Sequence, residues 1–317
     1  MDMSSPLLAL PGAVAGDGPD ATVAAHYGSF HGEQRVLASG DGFVDLSNRD
    51  VLRIAGPDRL TLLHSLSTQY FEGLAPGVPT SALVLSPQGH VEHAFTGVDD
   101  GEAFVAHLEP GTGAALAAWL DSMRFMMRVE ITDVTDRLAV AWRPSSGEPS
   151  GRYDLVPRER LTEYAAAAGP AAGRWAFDAL RIERGEPRFG VDTDHRTIPN
   201  EVGWIPGAVH LEKGCYRGQE TVARVHTLGR PPRRLTLLHL DGSDNRLPQQ
   251  GAPVLHGDRE VGFVGSSARH HELGPIALAL LKRAVPLDVP LVADGIAAAQ
   301  EVVVDPEVGL HVRPRLG

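Results

Sequence analysis

The sequence predicts an α+β protein whose C-terminal part is a separate small barrel of β-strands. Three observations carry that reading. Between Phe43 and Trp142, short strand-like runs alternate with helical segments, the pattern of antiparallel sheets with helices packed on them. From Leu235 onward the helical signal fades, and short apolar runs are separated by Gly and Pro, as in a small barrel. Pro231-Pro232 lies between the two regimes, where it stiffens the chain and stops any helix.

The elements follow in order. Phe43–Ala55 reads as strand with a polar turn at Ser47-Asn48-Arg49-Asp50. Pro57-Asp58 opens a helix, since proline suits the first turn and an acid suits the positive helix end; Leu63, Leu66 and Tyr70 follow at helical spacing and Gly73 closes it. Ala82–Leu85 and Val91–Val98 flank Pro87-Gln88-Gly89, a hairpin signal. A strand at Ala103–His107 precedes an amphipathic helix with Leu116, Leu120, Met123 and Met127 on one stripe. Val129–Val134 and Leu138–Trp142 read as strands, Pro144–Arg152 as a loop, and Arg158–Ala168 and Arg174–Glu183 as helices, the second closed by Gly185. Gly218–Leu228 reads as a helix stopped by Gly229. The barrel strands are expected at Leu235–Leu240, Val261–Ser266, Ile276–Leu281 and Glu301–Val304.

With 317 residues, 43% of them hydrophobic, the chain has material for two or three globular domains. No run approaches the ~20 apolar residues of a membrane helix. Residues 1–20 lack the charged leader and long apolar core of a secretory signal; Gly, Pro, Ala and Asp dominate them, which reads as a flexible tail. The one cysteine, Cys215, allows no internal disulfide and cannot alone hold zinc or an iron–sulfur cluster, so a reducing cytoplasm is the expected compartment. The net charge of -11 opposes nucleic-acid binding. The exception is Lys213 to Arg234, where Lys213, Arg217, Arg224, Arg230, Arg233 and Arg234 face one acid, Glu220, for a net +5.

Standard catalytic signatures are missing: there is no phosphate loop, nucleophile elbow, HExxH or dinucleotide GxGxxG. His90 and His93 would point to opposite faces of a strand, and the side chains of His270-His271 diverge, so neither pair reads as a metal site. The most informative segment is Lys213-Gly214-Cys215-Tyr216-Arg217-Gly218-Gln219-Glu220. Its glycines permit positive φ and close backbone approach. Lys213 and Arg217 flank Cys215 and would favour its thiolate; against that, a lone cysteine is often simply buried. A second candidate is Glu183, which shares one helix face with Ala176, Ala179 and Leu180 and would therefore point inward. There it either accepts the paired donors of a pterin ring or forms an ion pair.

The octet from Lys213 to Glu220 resembles the signature of the YgfZ family. Phe43-Val44-Asp45-Leu46-Ser47-Asn48-Arg49, the block Leu180–Gly190, and Ile198-Pro199-Asn200-Glu201 are similar to segments of the related aminomethyltransferase (glycine-cleavage T-protein, GcvT-like) superfamily. The resemblance covers roughly residues 43 to 305. It implies a three-subdomain cloverleaf around a central channel: a tail over 1–34, a folate-binding region of two interleaved α+β subdomains over 35–232, and a β-barrel over 233–317. It also implies tetrahydrofolate as cofactor, with Glu183 on the pterin and Glu201 nearby, and Tyr216 and Gln219 in the signature loop. Arg224, Arg230, Arg233 and Arg234 are candidates for the folate's glutamate tail. The implied role is support of iron–sulfur enzymes or their assembly proteins, tRNA-modifying ones included, through Cys215. The aminomethyltransferases carry paired aspartates after the Gly turn. Here Glu92 and His93 stand in the matching stretch, which sets an accessory role against the alternative of a folate-dependent aminomethyl or methyl transferase.

Overall fold

The computed structural model describes residues 3–205 and 207–309. The chain starts with a two-stranded ribbon, β1 (Val14–Ala15) and β2 (Ala24–His26), followed by α1 (Phe30–Ala38) and β3 (Phe43–Asp45). It then leaves to build a second lobe from β4 (Asp50–Ala55), α2 (Arg59–Leu66), β5 (Thr80–Leu85), β6 (Val91–Asp99), β7 (Ala103–Leu108), α3 (Gly113–Met123) and β8 (Glu130–Asp133). It returns to the first lobe with β9 (Leu138–Ser145), β10 (Glu148–Pro157), α4 (Leu161–Ala168), β11 (Ala171–Ala172) and α5 (Arg174–Glu183). A long connection and α6 (Gln219–Leu228) lead to β12 (Arg233–Leu240), β13 (Pro253–His256), β14 (Arg259–His270), β15 (Gly274–Lys282), β16 (Leu291–Ala293) and β17 (Ile296–Val302).

The strand order is β10-β9-β3-β11 in the first lobe and β5-β6-β7-β4-β8 in the second; the last six strands close a barrel in the order β12-β15-β14-β13-β16-β17. The first two lobes are interleaved because β3 runs directly into β4 and β8 directly into β9. Alternation along β12 separates two cores. Leu238 and Leu240 fill the barrel interior with Val254, Val264 and Leu281, whereas Leu235 and Leu237 face outward and pack with Ala179 and Ile182 of α5.

Two expectations are corrected. The segment read as a flexible tail is built into the fold: Leu7 packs with Phe43, Ala141 and Val156, Ser5 donates to Asp45, and Val23 to Ala25 are buried. Its average composition is that of a tail, but a few well-placed apolar side chains decide. The Pro144–Arg152 loop is instead the turn and first residues of the β9–β10 hairpin, in which Glu148 pairs with Ser145 and Arg152 with Arg143. Glycine and serine conceal this strand from a pattern reading. No helix among the described residues is long and apolar enough to cross a membrane.

Candidate functional site

A cavity of about 270 Å3 opens between the two interleaved lobes and the connection after α5. One wall is the sheet of the second lobe, where every second residue of neighbouring strands faces the space: Ser81 and Leu83, Ala94 and Thr96, His107 and Glu109. Opposite stand Arg49 from the β3–β4 turn, Tyr153 of β10, and Pro187, Phe189 and Trp204 of the connection.

Its chemistry centres on Arg49. The guanidinium donates through Nη2 to Glu109 (3.0 Å) and through Nη1 to Nδ1 of His107 (3.0 Å), and it lies 5.0 Å from the centre of the Tyr153 ring. His107 is almost wholly buried. Burial, and then the charge of Arg49, push its pKa well below the usual histidine value, so the ring is neutral. Burial would raise the pKa of Glu109, but Arg49, Arg188 and Arg174 overcome it and hold that carboxyl at about 2. Glu109 is therefore a fixed anion rather than a proton donor.

From Glu109 a chain of alternating charges runs through the molecule. Arg188 donates to Glu109 and pairs with Asp20 at 2.7 Å. Asp20 lies 4.0 Å from Arg174, Arg174 pairs with Asp178 at 3.2 Å, Asp178 with Arg181 at 2.6 Å, and Arg181 with Asp192 at 3.0 Å. Asp192 then accepts from the backbone N–H and the hydroxyl of Ser266 on the barrel, both at 2.7 Å. The four arginines from Arg188 back to Arg49 and along α5 balance four carboxylates, so the ladder is neutral while joining all three lobes.

The cysteine loop flanks the cavity, packed on the same face of the second-lobe sheet. Tyr216 is buried in a cluster with Leu83, Val91, Ala208 and Val209, and two of these, Leu83 and Ala208, also line the cavity. Cys215 is exposed. Gln219 Nε2 donates to the Lys213 carbonyl at 3.3 Å and closes the loop. Gly218 has φ of 81°, and a Cβ there would stand 2.5 Å from the Ser86 carbonyl oxygen and 2.9 Å from Gly89 Cα, so only glycine lets this loop seat on the β5–β6 hairpin. Gly89 is under the same constraint, since its Cβ would meet Thr221 at 2.8 Å.

Several expected site residues have other duties. Lys213 is buried, and its ammonium donates to the carbonyls of His64, Ser67 (2.7 Å) and Gln69 (3.0 Å) at the end of α2, so it caps a helix rather than polarising the thiol. Arg217 pairs with Glu92 at 3.1 Å, and both are more than a third exposed. Neither Glu92 nor His93 lines the cavity. Glu92 sits near the start of β6 beyond the wall, and His93 faces the opposite side of the sheet, with Trp119 at 6.4 Å between ring centroids. Where Ala94 and Thr96 form the wall, β6 offers no acid.

Glu183 does not point inward. It is the last residue of α5, where the helix face runs out past the core; it is 41% exposed, faces His270 Nε2 at 3.2 Å and borders a separate groove with Trp142 and Arg184. Glu201 is buried, but it accepts from the Ile198 N–H and from Arg233 and has no free oxygen for a ligand. Arg233 bridges Glu201 and Asp194 (2.8 and 2.7 Å). Arg234, on the inward face of β12, is fully buried and donates to Gln300 at 2.7 Å. Arg230 lies 3.9 Å from Glu307, and only Arg224, exposed on α6, keeps the character of a surface cation. The basic segment is thus no patch, because folding distributes its charges, Arg224 apart, to buried or paired positions. Among the described residues no group of three or more His, Cys, Asp or Glu is placed to hold a metal ion.

The cavity residues Arg49, His107, Glu109, Tyr153 and Trp204, and Arg188 that pairs with Glu109, escaped the sequence reading as site residues. Arg49 and Arg188 lie inside blocks singled out above. His107, a lone polar residue in the apolar run Ala103–Leu108, was the available signal.

The fold is that of the aminomethyltransferase-like superfamily, a three-lobed α+β assembly with a closed C-terminal barrel. The crystal structure of glycine cleavage system aminomethyltransferase T from Bartonella henselae superposes with a TM-score of 0.78 at 17% identity, covering 96% of this chain and 97% of that one. In sequence, an aminomethyltransferase of Moorella thermoacetica is 26% identical over 304 residues, which span 80% of this chain and 82% of the relative. A putative chloroplastic transferase of Arabidopsis thaliana is 25% identical over 288 residues, and the match spans 65% of that protein's length. No family model matches the chain.

Proposed function

We propose that this chain is a tetrahydrofolate-binding accessory protein of the YgfZ kind, acting in the cytoplasm on iron–sulfur enzymes or their assembly proteins, tRNA-modifying ones included, through the thiol of Cys215. One observation carries this reading: the cavity wall offers no carboxylate on β6, while the exposed Cys215 sits on a loop seated against the end of the β5–β6 hairpin that forms part of that wall. In support of the reading, a cavity opens at the lobe junction, and its side chains are of the kinds that suit a reduced pterin. Tyr153, Phe189 and Trp204 supply apolar and aromatic surface, and the Ser81–Thr96 hydroxyl pair (2.8 Å) and His107 supply polar contacts. At about 270 Å3 the space is near the small end of ligand sites, ~300–1,000 Å3, and suits the ring while a tail extends outward. When bound, the folate would supply one-carbon or reducing chemistry. A single thiol cannot hold a cluster, so contact with a partner's metal or sulfur is shared or transient.

The test has two parts. Tetrahydrofolate is titrated against the fluorescence of Trp204. Cys215→Ala is then introduced into a deletion strain and scored on the activity of an iron–sulfur enzyme. Folate affinity is expected to persist in the variant and rescue to fail; full rescue by Cys215→Ala overturns the thiol role. The second reading, a folate-dependent aminomethyl or methyl transferase, is favoured by what the relatives are called. It requires turnover of an aminomethyl or methyl donor that depends on Glu92, an exposed residue paired with Arg217.

A further inference from the structure

We infer that His107 is the group that selects the ligand of the central cavity, as a neutral imidazole whose Nε2–H is the donor offered to an acceptor on the bound ring. This rests on the reading of the cavity as a folate site and deepens it.

The geometry leaves the imidazole one arrangement of protons. A guanidinium nitrogen can only donate, so the 3.0 Å contact with Arg49 Nη1 makes Nδ1 of His107 the acceptor. The proton of the neutral ring then lies on Nε2. A doubly protonated ring would turn an N–H against an N–H of Arg49 inside a buried site. The ring is also held in place: it packs against Tyr153 at 4.5 Å between centroids, and Arg49 is itself fixed by Glu109. No partner for Nε2 exists among the described residues, and the residue lines the cavity.

Some of the other polar groups around this space are already engaged. Ser81 and Thr96 bond each other, and both carboxylate oxygens of Glu109 receive arginine donors. His107 is a donor held in one orientation that a planar heterocycle meets, and Arg49 acts as a positioning residue by fixing the tautomer. A ring with a carbonyl oxygen or an unprotonated nitrogen at its edge is accepted, as in a 4-oxo pterin. A ring presenting an N–H there leaves two donors facing each other, at the cost of an unmade buried hydrogen bond.

The test uses the full-length chain. Nitrogen-15 spectra of the imidazoles should show His107 as the Nε2–H tautomer, and its Nε2 signal should move when tetrahydrofolate is added; a protonated Nδ1 overturns the inference without any variant. His107→Gln, which carries its amide nitrogen near the place of Nε2, should bind tetrahydrofolate within about threefold of the wild type, whereas His107→Leu should bind about tenfold or more weakly. Wild-type binding that survives His107→Leu within twofold overturns this inference alone. No binding by the wild-type chain removes the folate reading and this inference with it.

Discussion

Lys213 shows what a single residue does that its neighbours in sequence cannot reveal. Next to a cysteine it reads as a device for stabilising a thiolate, yet its side chain reaches the end of α2, almost 150 positions earlier in the chain. Burial pushes its ammonium down to about 8, and the three carbonyls that accept its protons favour the charged form at neutral pH. Lys213→Met should therefore cost about 2–3 kcal/mol in urea unfolding, through lost charge-assisted bonds at a helix end, while leaving the reactivity of Cys215 toward a thiol reagent unchanged. His107 gives the second prediction at this scale. Its folded pKa lies below that of the unfolded chain, so its contribution is complete above about pH 6.5 and is lost as the pH falls toward the folded value. Arg49, Glu109 and the Tyr153 ring are the groups that face it. Unfolding measured between pH 7 and pH 5 should show stability dropping in the wild type and dropping less in His107→Gln. The signature octet was legible as a tight glycine loop. The duties of its two cations were not, because they depend on partners distant in sequence.

At the scale of elements, the sequence identified most helices and strands correctly, since their apolar spacing is regular. α5 is the instructive case. Ala176, Ala179 and Leu180 are buried as the helical period requires, but the period does not say where the partner surface ends, and Glu183 falls just beyond it. β12 makes the complementary point. Arg233 and Arg234 look alike in sequence, yet strand alternation sends one outward to two carboxylates and the other into the barrel. Arg233→Ala should cost about 3–5 kcal/mol, because it strands the buried Glu201 without its cation. A chemical denaturation curve checks this, and a loss under 1 kcal/mol would refute the structural assignment. Short elements such as β11, β13 and β16 carry too few residues for a period to show.

For the molecule as a whole, the fold class was legible and the position of the central site was not. The cavity is assembled from β-strands, a turn and a connection that meet only after the lobes have docked. The ladder from Arg49 to Asp192 is what the docking leaves behind, and the N-terminal segment contributes Asp20 to it. Asp20→Ala should cost about 3 kcal/mol, and the double change with Arg188→Met should cost clearly less than the sum of the single ones, since a lone buried charge is worse than none. Equal additivity in denaturation would deny the ladder its role. The glycine-to-glycine seat between the β5–β6 hairpin and the thiol loop carries a mechanical corollary. With backbone meeting backbone at Gly89 and Gly218, no compressible side chain separates the two. The joint behaves as a gear tooth rather than a cushion, so a displacement of the hairpin is carried into the thiol loop instead of being absorbed between them.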